Sequence, residues 1–183
     1  MAYAKNNKLV EGWSGKLANL LFRQRNGKTF ISMAPAMPTG ERSSWQKDNS
    51  NKFQIACAYA RLVKNDVVLW EMYRSARQGN QTATNVAIKD FYTAPEIQSV
   101  LLPPPGSQSL LVKVTDIIRV YEVEISIIYN SLEAPEIGTA TYAGTGDQWV
   151  YNILSTQLLQ PGSRICVRAR DFPGNTTLRE ITL

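Results

Sequence analysis

Residues 119–129 read Arg119-Val120-Tyr121-Glu122-Val123-Glu124-Ile125-Ser126-Ile127-Ile128-Tyr129. In an extended chain Tyr121, Val123, Ile125, Ile127 and Tyr129 fall on one face, and Glu122, Glu124 and Ser126 on the other. A period of two marks a strand with one buried and one wet face. Residues 163–171 repeat it, with Ile165, Val167 and Ala169 alternating with Cys166, Arg168 and Arg170. If these two strands are neighbours, Glu122 and Glu124 meet Arg168 and Arg170 in a cross-strand ladder. Opposed charges there add roughly 0.2–1 kcal/mol per pair.

Outward from this pair the same period runs through residues 96–102, 109–115, 138–142, 148–154 and 177–183. Turn formers separate the segments: Pro103-Pro104-Pro105-Gly106, Gly144-Thr145-Gly146-Asp147, Pro161-Gly162 and Pro173-Gly174-Asn175. Seven short strands so spaced predict an all-β sandwich of immunoglobulin or fibronectin type, with Trp149 in its core. The Cys…Trp…Cys pattern of true immunoglobulin domains is missing, so the expected likeness is architectural.

Before Pro95 the period is about 3.6. Ser43 and Gln46 form a capping box, and Phe53, Ala56, Ala60 and Val63 then give a helix one apolar face. Asn65-Asp66 breaks it and caps a second helix carrying Val67, Trp70 and Tyr73, with Gly79 as its stop. Trp45, Phe53, Trp70 and Tyr73 are the expected helical core. A third, short helix runs from Val86 to Tyr92 behind Thr82 to Asn85, and Pro95 ends it.

Further forward, residues 20–24 and 29–33 flank Arg25-Asn26-Gly27-Lys28, a hairpin signal because a type I′ turn needs positive φ at both central residues. Residues 1–14 read as a polar arm with Trp13 as an anchor. The expected class is therefore α+β in two domains: a basic hairpin-plus-helices domain over 1–94 and a β-sandwich over 95–183.

The formal charge of +5 is unevenly spread. Residues 1–94 carry 14 Lys+Arg against 6 Asp+Glu, and residues 95–183 carry 6 against 9. Such a front half attracts a negative surface: nucleic acid, an acidic protein wall or a lipid headgroup layer. Lys16, Arg23, Arg25 and Lys28, with Trp13, are the candidate partner-binding residues. A solvated, structural role for the same cations is the alternative.

The chain has no histidine, the commonest general base and zinc ligand. Cys57 and Cys166 read as ordinary thiols, and no phosphate loop, His-Glu metal helix, Cys-x-x-Cys or nucleophile elbow appears. Glu122 and Glu124, two residues apart on a flat strand, are a poor glycosidase pair. No catalytic residue, metal or cofactor is called for. No apolar run suits a membrane span or a cleavable signal, so the chain reads as made in the cytoplasm, with signal-free export open.

Gly15-Lys16-Leu17-Ala18-Asn19, Phe22-Arg23-Gln24-Arg25-Asn26-Gly27-Lys28-Thr29, Asn85-Val86-Ala87-Ile88-Lys89-Asp90-Phe91 with Pro95-Glu96-Ile97, Glu136-Ile137-Gly138-Thr139-Ala140 and Ala169-Arg170-Asp171-Phe172-Pro173-Gly174-Asn175 together resemble a two-domain family of Bacteroidota proteins with a C-terminal immunoglobulin-like domain. The resemblance implies an association with phage-tail-like particles, including contractile injection systems. It implies no catalytic residue. Three functions stay in view: a non-enzymatic cargo or accessory component of such a particle, a delivered effector or toxin, and a nucleic-acid-binding protein.

Overall fold

The computed structural model describes residues 2–4, 8–25, 27–36, 40–104, 107–130, 134–155 and 159–183. Among them the protein is mixed α+β, with three α-helices and three four-stranded antiparallel sheets. It divides into two compact units, residues 1–46 and 47–183.

The first unit holds β1 (Ala2–Ala4), β2 (Gly15–Leu17), β3 (Leu20–Arg25) and β4 (Lys28–Met33), in the order β1-β4-β3-β2. Arg25 pairs with Lys28, so the β3–β4 connection is the expected two-residue turn; Gly27 sits at φ 71°, and Asn26 lies outside the described residues. The polar-arm reading of residues 1–14 is corrected at residues 2–4 and 8–14; residues 1 and 5–7 lie outside the described residues. Residues 2–4 add a strand to β4, and the chain around Val10 and Trp13 is tied to the sheet. Thr29 donates to the Val10 carbonyl at 3.0 Å, and Gln24 donates to the Trp13 carbonyl at 3.1 Å.

The second unit begins within α1 (Ser44–Leu62) and continues through a 3₁₀ turn (Val63–Asn65), α2 (Val67–Ser75) and α3 (Ala83–Tyr92). Side chains set the helix starts. Ser43 and Gln46 exchange hydrogen bonds at 3.1 and 3.3 Å, Asp66 accepts from Leu69 N at 3.0 Å, and Thr82 accepts from Asn85 N at 3.2 Å. α2 stops at Ser75 on an Ala76 cap, four residues short of Gly79.

The expected helical core needs correction. Tyr73 is fully buried and Trp70 half-buried, but Trp45 is 71% exposed and Phe53 52% exposed. The first buried residue of α1 is Ala56, and the helix packs through the small side chains Ala56 and Ala60. Trp45 and Phe53 precede that contact. Ala60, Val63, Tyr73, Ala83, Val86 and Ala87 close on Ile117, Ile118 and Phe172, which belong to loops of the β region.

That shared packing explains where the units divide. The change of period at Pro95 marks a change of secondary structure, and the helices and the following strands form one unit across it. Asn175 Nδ2 lies 3.2–3.3 Å from the carbonyls of Asp90, Phe91 and Thr93, so its two hydrogens are shared between the chain end of α3 and Asp171.

Two sheets follow. One orders β5 (Glu96–Leu101), β6 (Ser109–Thr115), β10 (Gln148–Asn152) and β9 (Thr141–Tyr142) as β5-β6-β10-β9. The other orders β12 (Thr176–Thr182), β11 (Arg164–Arg170), β7 (Glu122–Ile128) and β8 (Glu136–Thr139) as β12-β11-β7-β8. Their apolar faces share one core: Leu110, Val112, Val114 and Trp149 from the first, Val123, Ile125, Ile127, Ile165 and Val167 from the second. Each such aliphatic side chain contributes roughly 1.5–3 kcal/mol by leaving water.

The stretch expected as one strand over 138–142 is two. β8 pairs with β7, β9 pairs with β10, and the chain crosses between sheets at buried Ala140. Tyr121 is 55% exposed, against the expectation of a buried side chain, because β7 starts one residue later. At the open side of the two sheets a bulge between Ile97 and Ser99 leaves carbonyls that Arg179 caps, both at 2.8 Å.

Candidate functional site

The N-terminal sheet carries the candidate surface. Directly opposed residues of an antiparallel pair share a face, as do residues two apart on one strand. Lys16 lies opposite Leu21, Arg23 opposite Phe30, and Arg25 opposite Lys28. Leu21, Arg23 and Arg25 alternate along β3, so Lys16, Arg23, Arg25 and Lys28 come together on one face with Phe30 among them. All four cations are exposed. None of the four strands contains an acidic residue.

Trp13 is not part of that face. Its ring packs on Phe22 at 5.4 Å between centroids, and Phe22 alternates with Arg23 along β3. Trp13, Gly15, Lys16, Leu17 and Phe22 line a hollow of about 260 Å³. A second hollow of about 760 Å³ lies along α1, lined by Phe53, Ile55, Cys57 and Arg61 among others. Neither has a carboxylate in its lining.

Net charge sharpens the difference between units. Residues 1–46 contain 7 Lys+Arg against 2 Asp+Glu, a net of +5. Residues 47–183 contain 13 of each, a net of zero. The whole formal excess therefore belongs to the first unit, a narrower region than residues 1–94.

On the β12-β11-β7-β8 sheet of the second unit, three arginines meet carboxylates. The expected ladder is present: Arg168 faces Glu124 at 2.9 Å and Arg170 faces Glu122 at 3.0 Å, in the pairing register of β11 and β7. Arg164 meets Glu180 at 3.4 Å on the other side of β11. Arg170 also lies over the Tyr121 ring at 5.0 Å.

Glu136 is held tightly. Tyr129 and Tyr151 donate their hydroxyls to it at 2.7 Å each, and the Leu154 and Ser155 amides donate at 2.8 and 3.1 Å. Burial alone would raise its pKa, but the hydrogen bonds together hold the carboxyl below its ordinary 4.5. Tyr151 passes so close to β8 that a Cβ on Gly138 would stand 2.6 Å from its ring. Glycine at 138 thus makes room for the tyrosine that grips Glu136. Nothing in the local sequence pattern marks this group, because Tyr129 follows β7, Glu136 opens β8, Tyr151 lies in β10 and the two amides follow β10.

A second group of titratable side chains is buried. Tyr73 donates to Asp90 Oδ2 at 2.6 Å, and the Tyr59 and Tyr73 hydroxyls are 2.7 Å apart. Tyr73 has one hydroxyl proton and gives it to Asp90, so Tyr59 donates to Tyr73. Burial raises Asp90 to about 7; Tyr73 opposes the rise, and the neighbouring Asp116 and Asp171 add to it. Burial likewise raises Asp116 to about 6, against the hydrogen bond from Ile117 and with help from Asp171. Asp171 is also raised, by burial, although it accepts from the Gly174 and Asn175 amides at 2.7 and 2.6 Å. Asp90 is fully buried and Asp171 is 2% exposed, so neither meets a substrate from solvent.

Cys57 and Cys166 are both free and half-buried. Among the described residues no group of three or more acidic or cysteine side chains is placed to hold a metal ion, and no helix is long and apolar enough to cross a membrane. Neither the protein-family models nor the curated proteins contain a match to this chain.

Proposed function

We propose that the protein is a non-enzymatic docking component that grips a negatively charged macromolecular surface through the basic face of its N-terminal sheet. The observation that carries this reading is the gathering of Lys16, Arg23, Arg25 and Lys28 on one face of a sheet whose strands hold no acid. Such a surface attracts anionic partners over a Debye length of roughly 8–10 Å at moderate salt. The sequence resemblance supplies the host: a phage-tail-like contractile injection particle, with this chain as cargo or accessory protein, made in the cytoplasm and leaving with the particle.

We read the two-sheet body as an immunoglobulin-type sandwich. Support comes from its strand orders, β5-β6-β10-β9 and β12-β11-β7-β8, which match the arrangement of that architecture with a strand changing sheets midway. Buried Trp149 and the alternating β7 and β11 agree with it. In this reading the sandwich is a rigid, self-paired body, and attachment is left to the first unit.

The test is purification of particles from cells producing them, followed by mass spectrometry across a salt series. The reading expects the chain in the particle fraction at low salt and its loss from that fraction as salt rises. Absence from particles at every salt concentration contradicts it. Salt-sensitive binding to single-stranded nucleic acid, with no particle attachment, favours the nucleic-acid alternative instead.

A further inference from the structure

Two carboxylate oxygens in the second unit, Asp90 Oδ1 and Asp116 Oδ2, are buried and lack a hydrogen-bond partner among the described residues. Leaving such an acceptor dry and unpaired costs about 1–3 kcal/mol, and more if it is charged. Both belong to one cluster. α3 supplies Asp90, the loop after β6 supplies Asp116, and the turn after β11 supplies Asp171. From the other helices, Tyr59 on α1 and Tyr73 on α2 face Asp90. The salt bridges found among the described residues involve other carboxylates, so no lysine or arginine among those residues pairs with the three acids.

A proton on a carboxyl removes the charge that its orphaned oxygen would otherwise carry in the interior, which is the costly part of leaving it unpaired. The cluster also sits where the helices join the sheets. Asp171 accepts from Asn175 Nδ2 at 2.7 Å, and the same group reaches the α3 carbonyls. Half-buried Tyr59, hydrogen-bonded to Tyr73 and through it to Asp90, gives the interior a hydroxyl chain toward the surface.

We propose that Asp90, Asp116 and Asp171 form a proton-held latch that fastens the three helices to the paired sheets in mild acid and loosens them as the pH rises. The sign follows from linkage. Asp90 is raised from an ordinary 3.8 to about 7, so the folded chain keeps a proton that the opened chain releases. Stability from that proton is full below the ordinary value and is lost as pH climbs through the folded one. Once Asp90 ionises, it repels Asp116 and Asp171 across a medium with little water.

Hydrogen exchange of the α3 amides in the full chain, corrected for the intrinsic rate, reads the latch directly. The expected result is an opening constant for α3 that rises by up to tenfold per pH unit between about 5 and 7 for one proton. β11 amides should change much less. Asp90→Asn keeps an acceptor for Tyr73 and should flatten the α3 profile, and Asp116→Asn should reduce its slope. An α3 opening constant independent of pH, or one that keeps its slope in both variants, overturns the proposal. If the variants do not fold, carbon-13 titration of the wild-type carboxyls decides. Asp90 or Asp116 titrating near neutrality supports the latch, and both titrating in the ordinary carboxylate range refutes it.

Discussion

Arg23 and Arg25 on β3, and Arg168 and Arg170 on β11, have the same spacing on the same kind of strand. Their neighbours differ. Arg168 and Arg170 face Glu124 and Glu122, whereas Arg23 and Arg25 face Phe30 and Lys28. The first pair belongs to a unit with 13 charges of each sign, the second to a unit carrying the entire +5. What a surface arginine can do is therefore decided across the strand, by register, and not by its own local motif. The first pair links two strands through opposite charges; the second lies on a face whose strands contain no acidic residue.

The comparison can be stressed from its most rigid side first. Gly138→Ala places a methyl 2.6 Å from a ring that Glu136 anchors, and should cost about 2–3 kcal/mol in denaturant unfolding. A cost below about 0.5 kcal/mol means the Tyr151 ring moves freely and the second unit is less locked than described.

Glu136→Gln removes the charge that four donors address, and should cost about 2 kcal/mol near pH 7. Glu136 is depressed in the folded state, so its contribution is present above its ordinary 4.5 and disappears as pH falls through the folded value. Unfolding followed from pH 7 down to 2 should lose this acid limb in the variant. An acid limb of unchanged steepness would assign acid sensitivity elsewhere.

The smallest effect separates the two arginine sets. Arg168→Ala should cost about 0.5 kcal/mol, as a half-exposed pair does, and Arg23→Ala about zero. Equal costs in thermal unfolding would mean that Arg23 has a structural partner comparable to Glu124.

Much of this was readable from residues alone. The ladder followed from two alternating strands, and the caps at Ser43 and Asp66 followed from side-chain chemistry, whereas α3 starts at Ala83 on a Thr82 cap, three residues before the expected Val86. Local periodicity carries such information well because each signal spans only a few residues. It carried less at Trp45 and Phe53, where apolar character suggested a core and helix packing through alanine left them outside. It carried nothing about Glu136 or the Asp90 cluster, whose members lie far apart in sequence and meet only through topology. The cations at 16, 23, 25 and 28 were visible as candidates, but their common face required the strand register. Residues 1–14 concealed a strand because three residues, Ala2–Ala4, are too few to show a period.

The most direct measurement compares particle attachment of two matched double variants, Arg23→Gln/Arg25→Gln and Arg168→Gln/Arg170→Gln, by cosedimentation at low salt. Both remove two positive charges, so net charge is controlled and only location differs. The account predicts at least a tenfold loss of attachment for the first and less than a twofold change for the second. Equal losses, or a larger loss from the β11 pair, would contradict it.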